Sequence, residues 1–273
     1  MTMTIGPVLK YPGAKWQMAA WIVSQFPEHE VYLEPFFGSG AVFFTKQPSR
    51  VETINDIDGR VVNFFRVLRE RPDELVRQLE LTPYARDEYD MSYEQAHDPL
   101  EDARRFAVRC FQAHGSVTGK RVGWRNDVQG KVSTALCQQW RALPERISNT
   151  AARLRGVQVE HRHAVEVIER FAFANVLIYA DPPYVNETRS NKLYAYEMTD
   201  DDHTTLLTAL NNHPGPVLIS GYRCPLYDGA LGNWLAVERR VRAEKAQERT
   251  EVLWLNEQAA RMSRQSRLPL ATA

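Results

Sequence analysis

Two kinds of apolar spacing alternate along this chain, and the alternation breaks once, in the middle. Short apolar runs bounded by Gly, Pro or Asp predict buried strands at Val31-Tyr32-Leu33-Glu34, Val51-Glu52-Thr53-Ile54, Val157-Gln158-Val159, Asn175-Val176-Leu177-Ile178-Tyr179-Ala180 and Pro216-Val217-Leu218-Ile219-Ser220. Between them, apolar residues three and four apart predict helices. One covers residues 16–26 with Met18, Trp21, Ile22 and Phe26. A second starts at Ala41-Val42-Phe43-Phe44. Asp58 caps a third, whose face is Val61, Val62, Phe65 and Leu68. Others cover residues 164–171 and 200–211, the latter with Leu206, Leu207 and Leu210 inward. Residues 235–241 and 250–255 predict a terminal antiparallel pair. This order is that of an α/β, doubly wound sheet.

From residue 82 to residue 156 the strand signal disappears. Phe106, Ala107, Cys110 and Phe111 share one helical face, and Ile147, Ala151 and Leu154 share another, ended by Gly156. Between them lies a basic, glycine-rich stretch, His114 to Asn126, which reads as a loop or hairpin. The expected organisation is therefore a sheet domain over residues 1–81 and 157–260, a helical subdomain inserted at 82–156, and a frayed Arg/Ser/Pro-rich tail over 261–273.

Composition adds bounds. The chain has 273 residues, 44% of them hydrophobic, which suffices for one large domain with an insertion. Its 34 basic and 34 acidic residues balance, so total charge argues neither for nor against nucleic acid. The three cysteines are odd in number and widely spaced, which predicts neither a disulfide framework nor a metal site and fits a reducing cytoplasm. No apolar signal core opens the sequence and no run reaches membrane-spanning length.

Two strand ends carry the candidate chemistry. After the first strand, Gly38 and Gly40 let the backbone approach a ligand. Asp56, which follows Gly40 by 16 residues at the end of the second strand, is placed to accept hydrogen bonds from both ribose hydroxyls. Phe43 stands where a dinucleotide fingerprint has its third glycine, and no Lys-Ser/Thr pair is present for a triphosphate. A nucleoside cofactor without phosphates fits better than NAD or ATP; a plain tight turn with a capping Asp is the alternative.

The second strand end is Asp181-Pro182-Pro183-Tyr184. The prolines cannot donate ladder hydrogen bonds, so the strand stops and its last residues are stiffened. An exocyclic aromatic amine is a poor nucleophile because its lone pair is conjugated into the ring. Acceptors on both of its N–H groups, the Asp181 carboxylate and the Pro182 carbonyl, would draw it towards tetrahedral geometry. Tyr184 would stack on the base that carries the amine. A positively charged sulfonium methyl donor would then be attacked in line, with no metal.

With these motifs in order, the chain resembles the DNA adenine-N6 methyltransferases of the Dam-like, D12-type group, which use S-adenosylmethionine. Leu9-Lys10-Tyr11-Pro12-Gly13-Ala14-Lys15 is similar to the family's N-terminal Lys-Trp-x-Gly-Gly-Lys element, with Tyr11 for tryptophan and Ala14 for one glycine. Glu34-Pro35-Phe36-Phe37-Gly38-Ser39-Gly40 resembles the cofactor loop, Asn55-Asp56-Ile57-Asp58 the ribose-binding strand end, and Asp181 to Tyr184 the catalytic tetrapeptide. Leu218 to Tyr222 and Thr250 to Asn256 resemble the family's later strands.

The resemblance implies a Rossmann-like methyltransferase sheet and S-adenosylmethionine held by Tyr11, Lys15, Glu34, Pro35, Phe37, Gly38, Gly40, Asp56 and Asp181. It implies catalysis at Asp181, Pro182 and Tyr184, and a target-recognition role on double-stranded DNA for the insertion. The DNA contacts would come from Lys120, Arg121, Trp124, Arg125 and Lys131; a solvated loop with the one aromatic packed under it is the alternative. Residues 185–198, with Arg189, Lys192, Tyr194 and Tyr196, would close over a flipped base. Arg261, Arg264 and Arg267 read as solvated.

There are departures. His163 stands where family members commonly carry an Asp that approaches the cofactor's adenine, and the insertion lacks the Asn-x-Pro-(Phe/Tyr)-Gly pattern of GATC-recognising members. Two other readings stay open: a DNA-binding protein of this fold without turnover, and methylation of another planar amine, namely RNA adenine, cytosine N4 or a protein glutamine amide. Ser or Asn in place of Asp181 would have favoured the last two.

Overall fold

A computed structural model describes residues 5–127, 133–185, 193–242 and 248–265. Among them, seven strands form one sheet: β1 (Val31–Glu34), β2 (Val51–Asn55), β3 (Gln158–Glu160), β4 (Val176–Ala180), β5 (Val217–Gly221), β6 (Leu235–Arg242) and β7 (Glu248–Leu255). Their order is β3-β2-β1-β4-β5-β7-β6. The first five are parallel, β7 pairs antiparallel with β5, and β6 antiparallel with β7. Every residue of β4 and β5 is buried, as expected for parallel strands covered on both faces. Alternation divides them between two cores. Leu177 and Tyr179 pack with Tyr32 on one face; Val176, Ile178 and Ala180 pack with Leu33 and Ile219 on the other.

The direction of winding reverses between β1 and β4. A crevice opens beyond the carboxyl ends of these two strands, where open α/β sheets bind ligands. Helices Gly59–Glu70 and Asp200–Asn211 follow the expected spacing and are capped. Asp58 accepts from the Arg60 N–H at 3.0 Å, and Thr199 with Asp202 forms a reciprocal capping box.

Two expectations change. Residues 16–26 give only the short helix Ala19–Val23. Residues 15–18 instead close a turn, with the Met18 N–H on the Lys15 carbonyl at 2.8 Å, and Met18 offers no capping side chain. Residues 261–265 of the expected frayed tail belong to the helix Glu257–Gln265, and residues 266–273 lie outside the described residues. Asn256 caps this helix, its side-chain oxygen accepting from the Ala259 N–H at 2.9 Å, and the Ser263 hydroxyl donates to the Gln25 carbonyl at 2.8 Å. Arg261 and Arg264 sit in this helix; Arg267 lies outside the described residues.

Between β2 and β3 the described chain consists of helices and the loops that join them, with one isolated bridge, Ala113 to Trp124, and no strand. These helices share the sheet's core: Phe106, Phe111, Leu143 and Ile147 cluster with Phe64, Phe65 and Tyr32. A buried ionic knot ties them down. Glu52 of β2 accepts from Lys46 at 2.5 Å and from Arg153 at 2.7 Å. No helix among the described residues is long and apolar enough to cross a membrane.

Candidate active site

The crevice holds a cavity lined by residues from four places: Tyr11 to Lys15, Glu34 to Ser39, Asn55 to Asp58, and Asp181 with Pro183. His163, Tyr194, Tyr196, Glu197 and Asp202 are also among its walls. Asn55, at the end of β2, fastens the first two strand ends together. Its side-chain amide donates to the carbonyls of Pro35 (2.9 Å) and Arg162 (3.1 Å), and its oxygen accepts from the Arg162 N–H at 2.9 Å.

Asp56 follows directly. Its Oδ2 accepts from the Gly38 N–H at 2.8 Å and its Oδ1 from the Asp58 N–H at 2.9 Å. Gly38 has φ +49°, and a β-carbon there would press on the Tyr11 ring at 3.1 Å. Gly40, of the same motif, does not line the cavity. Its φ is +67° and a β-carbon would strike the Phe37 and Phe44 rings, so that glycine serves the start of helix Ala41–Thr45.

Asp181 sits immediately after β4. Its Oδ1 takes the Lys15 ammonium at 3.1 Å and the Ser220 hydroxyl at 2.7 Å. Among the described residues no protein donor reaches Oδ2. Burial pushes the Asp181 carboxyl up, against the pull of Lys15 and Ser220. Burial works against the Lys15 charge as well, but Asp181 and Glu251 outweigh it and hold the lysine above its ordinary range.

Pro182 and Tyr184 do not line the cavity. The Tyr184 ring lies behind Lys15, whose ammonium is 4.5 Å from the ring centre. Its hydroxyl donates to Glu251 at 2.6 Å, and Tyr222 meets it edge-on at 4.7 Å. Sequence reasoning assigned nothing to Ser220, Glu251 or Asn55. Ser220 and Glu251 lie in stretches already compared with later strands, but only the sheet order brings them to Asp181 and Tyr184.

Glu34 is 2% exposed and accepts from the Tyr32 hydroxyl at 2.6 Å. Burial pushes its carboxyl up to about 8, and that of Asp56 up to about 7. The folded protein therefore holds both protons more tightly than the unfolded chain does. Their stabilising contribution is complete below the ordinary carboxylate range and is lost as pH rises through about 7 and about 8. The melting temperature of the ligand-free protein is expected to fall over that window, and Glu34→Gln to flatten the fall. An equally steep fall in the variant would refute the assignment to Glu34.

The residues expected at DNA are spread over the insertion. Lys120 and Arg121 are exposed, and Arg121 pairs with Asp90 while lying 5.1 Å from the Tyr93 ring centre. Trp124 is packed: its N–H donates to Gln112 at 3.0 Å, Tyr84 lies 5.8 Å away, and Arg86 covers it at 4.9 Å. Its indole is thus engaged by protein on several sides. The Arg125 N–H bonds the Gln112 carbonyl at 2.7 Å. Lys131, Arg189 and Lys192 lie outside the described residues. His163, exposed, stands at the cavity wall ahead of helix Ala164–Arg170. No cluster of three or more metal-ligating side chains occurs among the described residues.

One similar protein is the Type II methyltransferase M1.LlaDCHI of Lactococcus lactis subsp. cremoris, 32% identical over 78 residues, covering 28% of this chain and 27% of the relative. The chain thus spans about a quarter of that relative's length. Another is the Type II methyltransferase M.MjaIII of Methanocaldococcus jannaschii, 23% identical over 232 residues, covering 75% of this chain and 78% of the relative. Residues 11–244, from Tyr11 at the cavity to the β6–β7 hairpin and including both strand-end carboxylates, match one family throughout: the chain belongs to the D12 class of N6 adenine-specific DNA methyltransferases.

Proposed function

We propose that this chain transfers a methyl group from S-adenosylmethionine to the N6 amine of a flipped adenine at a specific site in duplex DNA. The observation that carries the reading is the meeting of Asp56 and Asp181 in one cavity at the winding reversal, in a chain of this family. The cavity's chemistry suits that donor. Six acidic side chains line it, those of Glu34, Asp56, Asp58, Asp181, Glu197 and Asp202, with Lys15 the one lysine and no arginine among the lining residues. Burial keeps Glu34 largely protonated near neutral pH, but a wall with this excess of acidic over basic groups still favours a cation over phosphates. The aromatic and aliphatic remainder, including Phe36, Phe37 and Tyr11, suits a nucleoside ring.

When bound, S-adenosylmethionine supplies an electrophilic methyl on a sulfonium. Asp56 would hold the ribose hydroxyls, and the loop at Phe37 and Gly38 would bed the nucleoside. Tyr11 and Lys15 would bound its amino-acid end. At the target amine, Asp181 Oδ2 and the Pro182 carbonyl would accept the two N–H groups. Tyr184, tied to Glu251, would brace the turn and Lys15. The insertion, with exposed Lys120 and Arg121, would supply the DNA contact, and the similarity to Type II methyltransferases supports a site-specific role.

The purified chain is expected to place labelled methyl from S-adenosylmethionine into duplex DNA, recovered after digestion as N6-methyladenine. Label recovered in RNA or as N4-methylcytosine would overturn the reading.

A further inference from the structure

We propose that Tyr194 is a binding residue for the methyl donor and that the insertion sets its position through a backbone joint at Gly119. The proposal rests on the methyltransferase reading above. It starts from a contact between two segments far apart in sequence. The Thr118 and Gly119 N–H groups both donate to the Leu193 carbonyl, at 2.9 and 3.1 Å. Gly119 is not in the left-handed region, so no turn demands a glycine there. A β-carbon at Gly119 would instead land on the Tyr194 carbonyl, well inside van der Waals contact. The glycine is therefore there for close backbone approach.

Both sides of the joint are fixed. Thr118 is buried, and its carbonyl accepts from Arg109 of helix Pro99–Gln112, whose guanidinium lies 4.5 Å from the Tyr93 ring centre. On the other side, the Glu197 carboxylate accepts from the Leu193 and Tyr194 N–H groups at 2.7 and 3.0 Å. The backbone of residues 193 and 194 is thus clamped between its own loop and the insertion.

The side chain that this clamp aims is Tyr194. It lines the cavity, its ring centre is 6.0 Å from that of Tyr11, and its hydroxyl reaches Gly13 so closely that a β-carbon there would collide with it. Tyr194 therefore forms a wall over the Tyr11 to Lys15 segment, at the end of the cavity where the donor's amino-acid portion would lie. Gly119 itself does not line the cavity. A change there reaches the cavity through the Leu193–Tyr194 backbone that carries the Tyr194 ring.

The test is a double-mutant cycle read by calorimetric binding of S-adenosylmethionine to the full chain, without DNA. Tyr194→Ala and Gly119→Ala are each expected to weaken binding about tenfold, and the double variant about tenfold rather than a hundredfold, because the two act as one unit. Melting temperatures of all four proteins establish that each is folded. Unchanged affinity in Tyr194→Ala, or losses that multiply in the double variant, would overturn the inference while leaving the methyltransferase reading intact. Absence of binding by the unaltered chain would overturn both. Tyr194→Ala leaves the Gly119 backbone joint in place, so it decides whether Tyr194 binds the donor even if Gly119→Ala does not fold; in that case Arg109→Ala, which frees the Thr118 carbonyl, takes its place in the cycle, and unchanged affinity there would overturn the joint.

Discussion

Asp181→Asn is expected to slow methyl transfer by roughly 10²- to 10³-fold, the scale on which one preorganised polar partner of a transition state is lost. Affinity for S-adenosylmethionine should stay within a few-fold. The geometry makes this substitution more telling than a generic loss of charge. Lys15 and Ser220 both donate to Oδ1 of Asp181. An asparagine there would turn its oxygen to those two donors and leave its NH₂ group towards the cavity. The target amine, which has two protons to place, would then meet a donor instead of an acceptor. Asp181→Ala should be at least as inactive but is a harsher test, because it strips Lys15 of its nearest counter-ion and leaves only the more distant Glu251. Breaking a buried pair on one side costs about 3–5 kcal/mol, so its melting temperature should drop as well. Single-turnover methyl transfer with saturating donor separates the chemical loss from the loss of fold. Turnover near that of the unaltered chain in Asp181→Asn would refute the acceptor role.

Asp56→Ala acts on the other end of the reaction. It should weaken S-adenosylmethionine binding by roughly 10- to 100-fold, since hydrogen bonds to a charged group contribute about 1.5–3 kcal/mol. Much of the rate should return at saturating donor. Two effects combine here. The carboxylate faces the cavity, and it also fixes the Gly38 and Asp58 N–H groups, so its removal loosens the loop that would bed the nucleoside. Asp56→Asn can still accept on one oxygen and should fall between the two. The raised carboxyl adds a pH signature. Ribose hydroxyls donate to the ionised form, so donor affinity should increase as pH rises through about 7, and Asp56→Asn should lose that increase. An unchanged dissociation constant in Asp56→Ala would contradict the ribose role.

Much of the frame was legible because its parts are locally determined. β1, β2, β4 and β5 are short apolar runs stopped by Pro, Gly or Asp, and parallel strands buried on both faces keep that form in sequence. The spacing from Gly38 to Asp56 to Asp181 marks three strand ends, and the sheet brings all three to one crevice. What sequence did not reveal depends on pairings across the sheet. Ser220 meets Asp181 because β5 lies beside β4, and Glu251 meets Tyr184 because β7 returns antiparallel along β5. The two glycines of one motif look alike in sequence, yet Gly38 serves the cavity and Gly40 the start of a helix. In sequence Trp124 reads equally as a DNA contact or as a ring packed under its loop, and the partners that decide it, Gln112, Tyr84 and Arg86, are distant from it in the chain. The helix expected over residues 16–26 shortens to Ala19–Val23 because the chain before it is committed to the turn that carries Lys15.

Whether the carboxylate after β4 and the insertion together serve to methylate adenine at a defined DNA sequence is tested most plainly by incubating plasmid DNA free of modified bases with the chain and S-adenosylmethionine, then reading each molecule for methylated positions. N6-methyladenine is expected to recur at one short sequence, and to be strongly reduced at equal exposure when Asp181→Asn replaces the unaltered chain. Unmodified adenines throughout, or methyl groups on cytosine, would contradict that role.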